Sequence, residues 1–481
     1  MDLIGEKVYT GRKQLFTSLK PTRENLPKIL EQIFPKHLMN SEEINYLYDY
    51  YRGKQDILRR TKIIRPEINN KIVENHAYEI VEFKTGYTFG QPIQYVQRQR
   101  EDNHDNVEQV ETNKVSLLNE LMYINDKASK DRQLGEWMNI CGTGYRMVLP
   151  STEKDSLSPF EMEILDPRTT FVIYSTDFGK KPILAGTYVK NLGEDNDVNY
   201  RLGIYSNTHY WEVVYDGLGE TKIISETPHV LKSIPIIEYP ANPSRLGVFE
   251  PVLGLLNAIN NVASNRMDGI EQFIQSIMKF VNCDISADDF KQLKDLGAIK
   301  ITSTDNLNAD VEILSQELNQ DQTQTFVNYL YRTVLTITGV PDREASAGGN
   351  TGQALTIGQG WINAEARAVA MEQMFKSSEL QFLKVVLRIL EDSNTVSLDG
   401  LKLSDIDVKF NRNKTDNLLV KTQGLQNMLE AGIHPRIAIA NSNLFADPEQ
   451  VFVDSAEYLR KWKEDKGEEE RFQKPNPPDI Y

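Results

Sequence analysis

The feature that most constrains this chain is a long stripe of apolar residues between Phe249 and Val281. Val252, Leu256, Ile259, Ala263, Met267, Ile270, Phe273, Ile274, Ile277 and Met278 follow one another at steps of one, three and four. That period keeps one face of an α-helix apolar throughout, so the stretch is expected to be a single helix of roughly 50 Å at about 1.5 Å per residue. A second stripe, Phe326, Val327, Leu330, Val334 and Ile337, predicts a helix over 319–338 that stops at Gly339. Between them lie a short helix near 286–296 and strands near 298–302 and 310–315. Two long helices thus bracket a small αβ module, as two legs meet at a foot.

The flanking chain is mixed. SEEINYLYDYY at 41–51 reads as a short helix capped by Ser41 and stopped at Gly53. RTKIIRPEINN then reads as an extended arm, because Pro66 disfavours helix at Arg65. From Asn70 a helix is expected with Ile72, Val73, His76, Ala77, Ile80 and Val81 on its buried stripe and Gly86 as its stop. A strand around Ile93 and Tyr95 follows, then a polar loop at 97–113. Residues 114–140 are expected to be helical, ending near CGTG at 141–144. From Tyr145 to about Tyr239, short apolar runs separated by turns argue an antiparallel β region. After a glycine-rich stretch, a helix is expected from about Ala354 to Glu391, weakened at its start by Gly358 and Gly360. A β segment at 396–410, helices near 416–430, 434–444 and 447–463, and a charged, Pro-rich, disordered tail complete the chain. The fold class expected is α+β and predominantly helical.

Charge and composition narrow the function. The chain has 481 residues, 54 Lys plus Arg against 69 Asp plus Glu, and a net charge of −15. Such a surface repels phosphate backbones, which argues against tight, sequence-independent DNA binding but not against DNA as a cargo. The two cysteines, Cys141 and Cys283, have no metal or redox spacing and suit a reducing compartment. MDLIGEKVYTGRK lacks the apolar run of a signal peptide, and no membrane-spanning run occurs, so a soluble protein made in the cytoplasm is expected.

The search for reactive chemistry is negative. Histidines 37, 76, 104, 209, 229 and 434 are scattered without ligand spacing; EDNHD at 101–105 reads as a solvated loop rather than a cation site, and His76 as a core residue. No G-x-S-x-G elbow or paired-aspartate nuclease pattern is found. Tyr46, Tyr48, Tyr50 and Tyr51 read as core or subunit packing. Arg59, Arg60, Lys62 and Arg65 form the one basic cluster, either a partner contact or a solvated face. GVPDREASAGGNTGQALTIGQGW at 339–361 resembles a phosphate loop only superficially. It has no lysine before Thr351 and follows a helix, not a strand. Its unusual property is neutrality: from Ala345 to Ala364 there is no charged residue. Such a segment can face a charged polymer without gripping it, or serve merely as an interhelix hinge. No catalytic residue, metal or cofactor is expected, and the chain is not expected to be an enzyme.

Five stretches together resemble the portal proteins of long-tailed, siphovirus-type bacteriophages, the type common in phages of Gram-positive hosts. They are YYRGKQDIL at 50–58, NKIVENHAYEIVEFKTGYTFGQPIQY at 70–95, LDPRTTFVIYSTD at 165–177, IPIIEYPANPSRLGVFEPVLGLLNAINNVASNRMDGIEQF at 234–273 and TGVPDREASAGGNTGQAL at 338–355. The resemblance implies a ring of about twelve subunits at one capsid vertex, a closed cyclic assembly. It further implies a wing over 1–248, stem helices at 249–281 and 319–338, a clip at 282–318, a tunnel loop and helix start at 339–360, a wing helix and β segment at 361–411, a crown at 412–463 facing the capsid interior, and a tail at 464–481. Ser346, Gly348, Gly349, Asn350, Thr351 and Gln353 would line the DNA channel, and Asp288, Lys291 and Lys294 in the clip would dock partners. Implied partners are double-stranded DNA in transit, the terminase large subunit, a head-completion adaptor, and the scaffolding and major capsid proteins, with no membrane. The implied location is the virion, and the host cytoplasm during assembly. The competing reading is a monomeric head-assembly adaptor or scaffold without a DNA channel.

Overall fold

The protein is described from a computed structural model. It describes residues 10–98, 114–152, 157–192, 198–216, 220–274, 277–281, 310–314, 320–342, 360–393, 400–412, 418–442 and isolated positions from 444 to 458. The chain divides into two compact units. One gathers 1–9, 46–80 and 249–364; the other gathers 10–45, 81–248 and 365–481.

The described part of the larger unit is built on a six-stranded, a three-stranded and a two-stranded sheet. Strand β1 (Leu15–Thr17) is followed by helix α1 (Leu26–Tyr51). Helix α2 (His76–Phe89), strand β2 (Gln94–Gln97) and helices α3 (Lys114–Ile124) and α4 (Lys127–Cys141) come next. The expected antiparallel region is present as β3 (Thr143–Pro150), β4 (Phe160–Leu165), β5 (Thr170–Ser175), β6 (Pro182–Leu192), β7 (Val198–Tyr205), β8 (His209–Asp216), β9 (Thr221–Pro228) and β10 (Ile236–Pro240). Strands β5 to β9 form a meander with β1 added in parallel at the β5 edge, and β10-β3-β4 form a second sheet. Strand β8 shows why: Trp211, Val213 and Tyr215 point inward at period two while their neighbours face outward.

Two cores follow from these faces. Leu26, Ile29, Leu30, Ile33 and Phe34 of α1 recur at helical spacing and seal one face of the meander against Phe171, Leu202, Ile204 and Trp211. The Phe34 ring meets Tyr188 edge-on at 5.1 Å. The other core joins α3, α4, β3 and β4 to a helix near the C-terminus through Leu118, Met138, Val148, Phe160, Phe375 and Phe382.

Several boundaries differ from the sequence reading. The short helix at 41–51 is the last part of α1, so Ser41 is an interior residue; the apolar spacing at 26–34, which includes the run before Pro35, carries the helix through that proline. The helix expected from Asn70 begins only at His76, and Gly86 lies within it rather than ending it. Residues 114–140 are two helices, separated where Asp126 adopts φ +51°. The α4 terminus matches expectation: Gly142, at φ +80°, closes it, and a Cβ there would lie 2.1 Å from the Arg245 carbonyl oxygen, so only glycine fits.

In the smaller unit the long apolar stripe is divided. Helix α5 runs from Leu253 to Ile274, and Ile277–Val281 is strand β11, paired antiparallel with β12 (Asp310–Leu314). The single helix to residue 281 is therefore corrected: β-branched and aromatic residues at the distal end find a partner strand, and that pairing outcompetes a period the helix could have continued. The strand expected at 310–315 is present. Helix α6 (Gln320–Thr338) ends as expected at Gly339, φ +69°, with the Gly339 and Val340 amides donating to the Leu335 carbonyl. Helix α7 (Trp361–Ser393) starts after Gly360, whose φ of +83° excludes it from any helix interior; the start expected at Ala354 lies outside the described residues. Strand β13 (Ile406–Lys409) pairs with β2, and helices α8 (Leu418–Glu430) and α9 (Pro435–Ser442) follow, where helices at 416–430 and 434–444 are expected.

Candidate functional site: a helical hairpin and its pinned arm

Helices α5 and α6 pack together, and β11, which follows the first, pairs with β12, which precedes the second. The two legs and one expected strand of the foot, β12, are thus present, while the rest of the foot lies outside the described residues. Arg266 on α5 donates to the Gln324 side chain on α6 at 2.7 Å. At the proximal end Val252, Leu256 and Ile259 before and on α5, and Leu330 and Val334 on α6, are all buried. Other apolar residues of the two helices face solvent: Met267, Ile270, Phe326, Tyr329 and Ile337 are all exposed.

A polar stripe flanks the apolar one on α5. Asn257, Asn260, Ser264 and Asp268 stand at steps of three, four and four and so share one face. They hold an extended segment running antiparallel to the helix. The amides of Asn70, Ile72 and Glu74 donate to Asp268 Oδ1 at 2.8 Å, Ser264 Oγ at 2.9 Å and Asn260 Oδ1 at 2.8 Å. Two residues of extended chain advance about 6.6 Å and four residues of helix about 6 Å, so the two repeats stay in step over this length. Asn260 also donates to Gln55 at 2.5 Å, and Tyr50 donates to Asn257 at 2.9 Å. The helix thereby supplies the hydrogen bonds that a neighbouring strand would otherwise give the arm.

The basic cluster is resolved by the same stripe. Arg60 and Lys62 reach Asp268 at 3.1 and 2.6 Å, and Arg60 also donates to Asn265 at 2.5 Å. Two of the four cations are therefore internal ties, a reading absent from both sequence alternatives. Asp268 is held below the usual carboxylate range: its burial acts upward, but the hydrogen bonds from Lys62 and from Asn70 outweigh it.

His76 is not a core residue. It sits between Glu79, 3.0 Å from Nδ1, and Glu74, 3.2 Å from Nε2, with its ring 4.5 Å from that of Tyr331. Burial acts to lower its pKa, but the two carboxylates prevail and raise it to about 9, so it is charged at neutral pH. Together with Ile72, Met267, Ile270 and Val327 it lines an open cleft of about 410 Å³ along the hairpin.

The densest charge cluster lies in the larger unit and was not anticipated. Lys127 contacts Asp131 at 2.5 Å and Glu379 at 2.9 Å; Arg146 contacts Glu379 at 3.0 Å and also Asp131. Tyr95 and Tyr239 donate to the two Glu379 oxygens at 2.5 and 2.7 Å. Burial opposes ionisation of Glu379, but Lys127 and Arg146 bring its pKa down to about 2. Two cations balance two anions, all of them buried and each paired with an opposite charge, although Arg146 Nε has no hydrogen-bond partner among the described residues; the arrangement ties α4, β3 and the helix that carries Glu379 together.

Every site residue named from the sequence, Ser346, Gly348, Gly349, Asn350, Thr351 and Gln353 in the loop and Asp288, Lys291 and Lys294 in the clip, lies outside the described residues. So do the short helix at 286–296, the strand at 298–302, the loop at 99–113 and the tail. Among the described residues no group of three His, Cys, Asp or Glu is placed to hold a metal ion, and no helix is long and apolar enough to cross a membrane. What the structure supplies is the frame on either side of the glycine-rich segment: α6 before it and α7 after it.

That frame can be compared with known proteins. Residues 30–471 match the family described as phage portal protein, SPP1 Gp6-like. The chain belongs to the phage portal family. The match covers most of the sequence and includes both helices of the hairpin, the arm and the antiparallel region. No curated protein matches the chain. Membership agrees with the mixed helical and sheet composition. The siphovirus-type assignment is finer than the family match.

Proposed function

We propose that this portal-family chain assembles into a ring at one capsid vertex and serves as the conduit through which double-stranded DNA is packaged and later ejected. The observation that carries the reading is the α5–α6 hairpin, whose Met267, Ile270, Phe326, Tyr329 and Ile337 are exposed in one copy. Neighbouring hairpins standing side by side would cover these residues and surround an axis. With about twelve copies, a net charge of −15 each gives a wall of roughly −180, which discourages DNA from adhering in transit.

In this reading the neutral segment, with Ser346, Gly348, Gly349, Asn350, Thr351 and Gln353, faces the passing duplex. Asp288, Lys291 and Lys294 dock the terminase large subunit and later a head-completion adaptor, and the ring nucleates procapsid assembly with scaffolding and major capsid proteins. The chain itself performs no catalysis and uses no cofactor; NTP turnover by the purified protein would contradict that assignment. The deciding test is electron microscopy of purified protein. Top views with a central hole are expected, and monomers under all assembly conditions would favour the adaptor reading instead.

A further inference from the structure

The arm carries a feature that neither the family nor the conduit reading assigns. At its tip, Ile63 is 99% and Ile64 81% exposed. Two adjacent isoleucines held in water forgo the apolar transfer free energy that burial would supply. They are not on a loose tail. Lys62 Nζ reaches the Ile68 carbonyl at 2.9 Å as well as Asp268, the Asn69 side chain donates to the Arg60 carbonyl at 3.0 Å, and the Arg60 guanidinium donates to the Asn70 carbonyl at 3.2 Å. The Ile68 amide donates to the Arg65 carbonyl at 3.0 Å, and Ile68 itself is buried. The base of the tip is therefore closed and anchored to α5.

Arg65 adds a second, independent mark. It adopts φ +51° directly before Pro66, a position that favours extended backbone. A non-glycine residue held there persists because its surroundings fix it, and such outliers gather at functional positions. Its effect is to turn the chain sharply behind the two isoleucines.

We infer that the tip is a hydrophobic latch, Ile63 and Ile64, which docks onto a second copy of this chain. The inference rests on the ring reading above. Residues 59–66 carry no acid, and beside Arg60 and Lys62, which are tied to Asp268, they carry Arg59 and Arg65; the whole chain is at −15, so these two cations favour an acidic surface of another copy. Duplex DNA offers phosphates to cations but nothing to two isoleucines, and two of the cations are already tied to Asp268. A ring joins unlike patches of successive subunits, and a protruding knob meets that requirement where a self-complementary face does not. Because the arm is held in place before contact, little ordering entropy remains to be lost on docking.

The test uses full-length protein carrying both Ile63→Asp and Ile64→Asp, with circular dichroism as a check on folding, and mass photometry over a concentration series. A rise of about tenfold or more in the concentration at half-assembly is expected, from the apolar burial lost. Wild-type rings with an unchanged variant overturn the latch and leave the ring intact; wild-type protein that stays monomeric overturns both. In parallel, a photo-crosslinking residue at position 63 is irradiated with and without duplex DNA. An adduct of two chains supports the latch, whereas an adduct to DNA, or none in assembled rings, overturns it.

Discussion

At the scale of residues, the ionisable side chains around Glu379 and Asp268 hold elements of this portal-family chain in place. Glu379 receives Lys127, Arg146, Tyr95 and Tyr239 at once, and its removal would leave two buried cations undercompensated. Glu379→Ala is expected to cost roughly 3–5 kcal/mol in urea unfolding of the larger unit, with Glu379→Gln intermediate. Two histidines act in opposite directions. His37 is buried beside Phe34 and Phe171, and burial lowers its pKa to about 3, so its contribution is present above the unfolded value near 6.5 and is lost as pH falls toward 3. His76, raised to about 9, contributes below 6.5 and loses that contribution as pH rises through 9. His76→Gln should therefore flatten the alkaline limb of a melting-temperature profile between pH 7 and 10 and leave the acid limb unchanged. An unaltered alkaline limb would remove the carboxylate pair as the cause.

At the scale of elements, the arm and α5 show how a helix can satisfy an extended chain without a sheet. Ser264 accepts the only hydrogen bond found for the Ile72 amide among the described residues, from a buried position. Ser264→Ala should then cost about 1–3 kcal/mol through the orphaned donor, read as earlier local exchange of the Ile72 amide in hydrogen-exchange experiments. The glycine-rich segment belongs to this scale too, because α6 ends before it at Gly339 and α7 starts after Gly360, each at a positive φ. Deleting residues 346–352 is expected to preserve ring assembly while impairing packaging or retention of DNA. Normal packaging by that deletion would take the segment out of the mechanism.

At the scale of the whole molecule, two compact units divide the work. Among its described residues the larger carries three sheets and the ionic knot; the smaller carries the hairpin, the arm and the segment proposed to face DNA. Assembly driven mainly by covering apolar residues should withstand salt, whereas the attraction of a basic arm tip to an acidic neighbour should be screened with a Debye length of about 8 Å at physiological ionic strength. Ring formation is therefore expected to slow as salt rises while the finished ring remains intact, measured by stopped-flow light scattering and by mass photometry. Rings that dissociate in 0.5–1 M salt would show that charge, not apolar contact, holds them, a range in which the screening length falls to about 3–4 Å.

Much was legible in the sequence because it is local. Helical spacing placed the two legs, CGTG at 141–144 and Gly339 marked helix ends, short apolar runs between turns marked the antiparallel strands, and five ordered stretches pointed to the portal family. Tertiary structure decided what depends on partners distant in sequence. The end of α5 became a strand because β12 lies beside it, and the helix expected from Asn70 started late because α5 captured the amides of residues 70, 72 and 74. Asn257, Asn260, Ser264 and Asp268 share a helical face that spacing alone displays, but only the arm gives that face a meaning. His76 and Glu379 owe their charge states to residues brought to them by folding. Periodicity is a property of one segment; pairing belongs to two, and a sequence names the first without fixing the second.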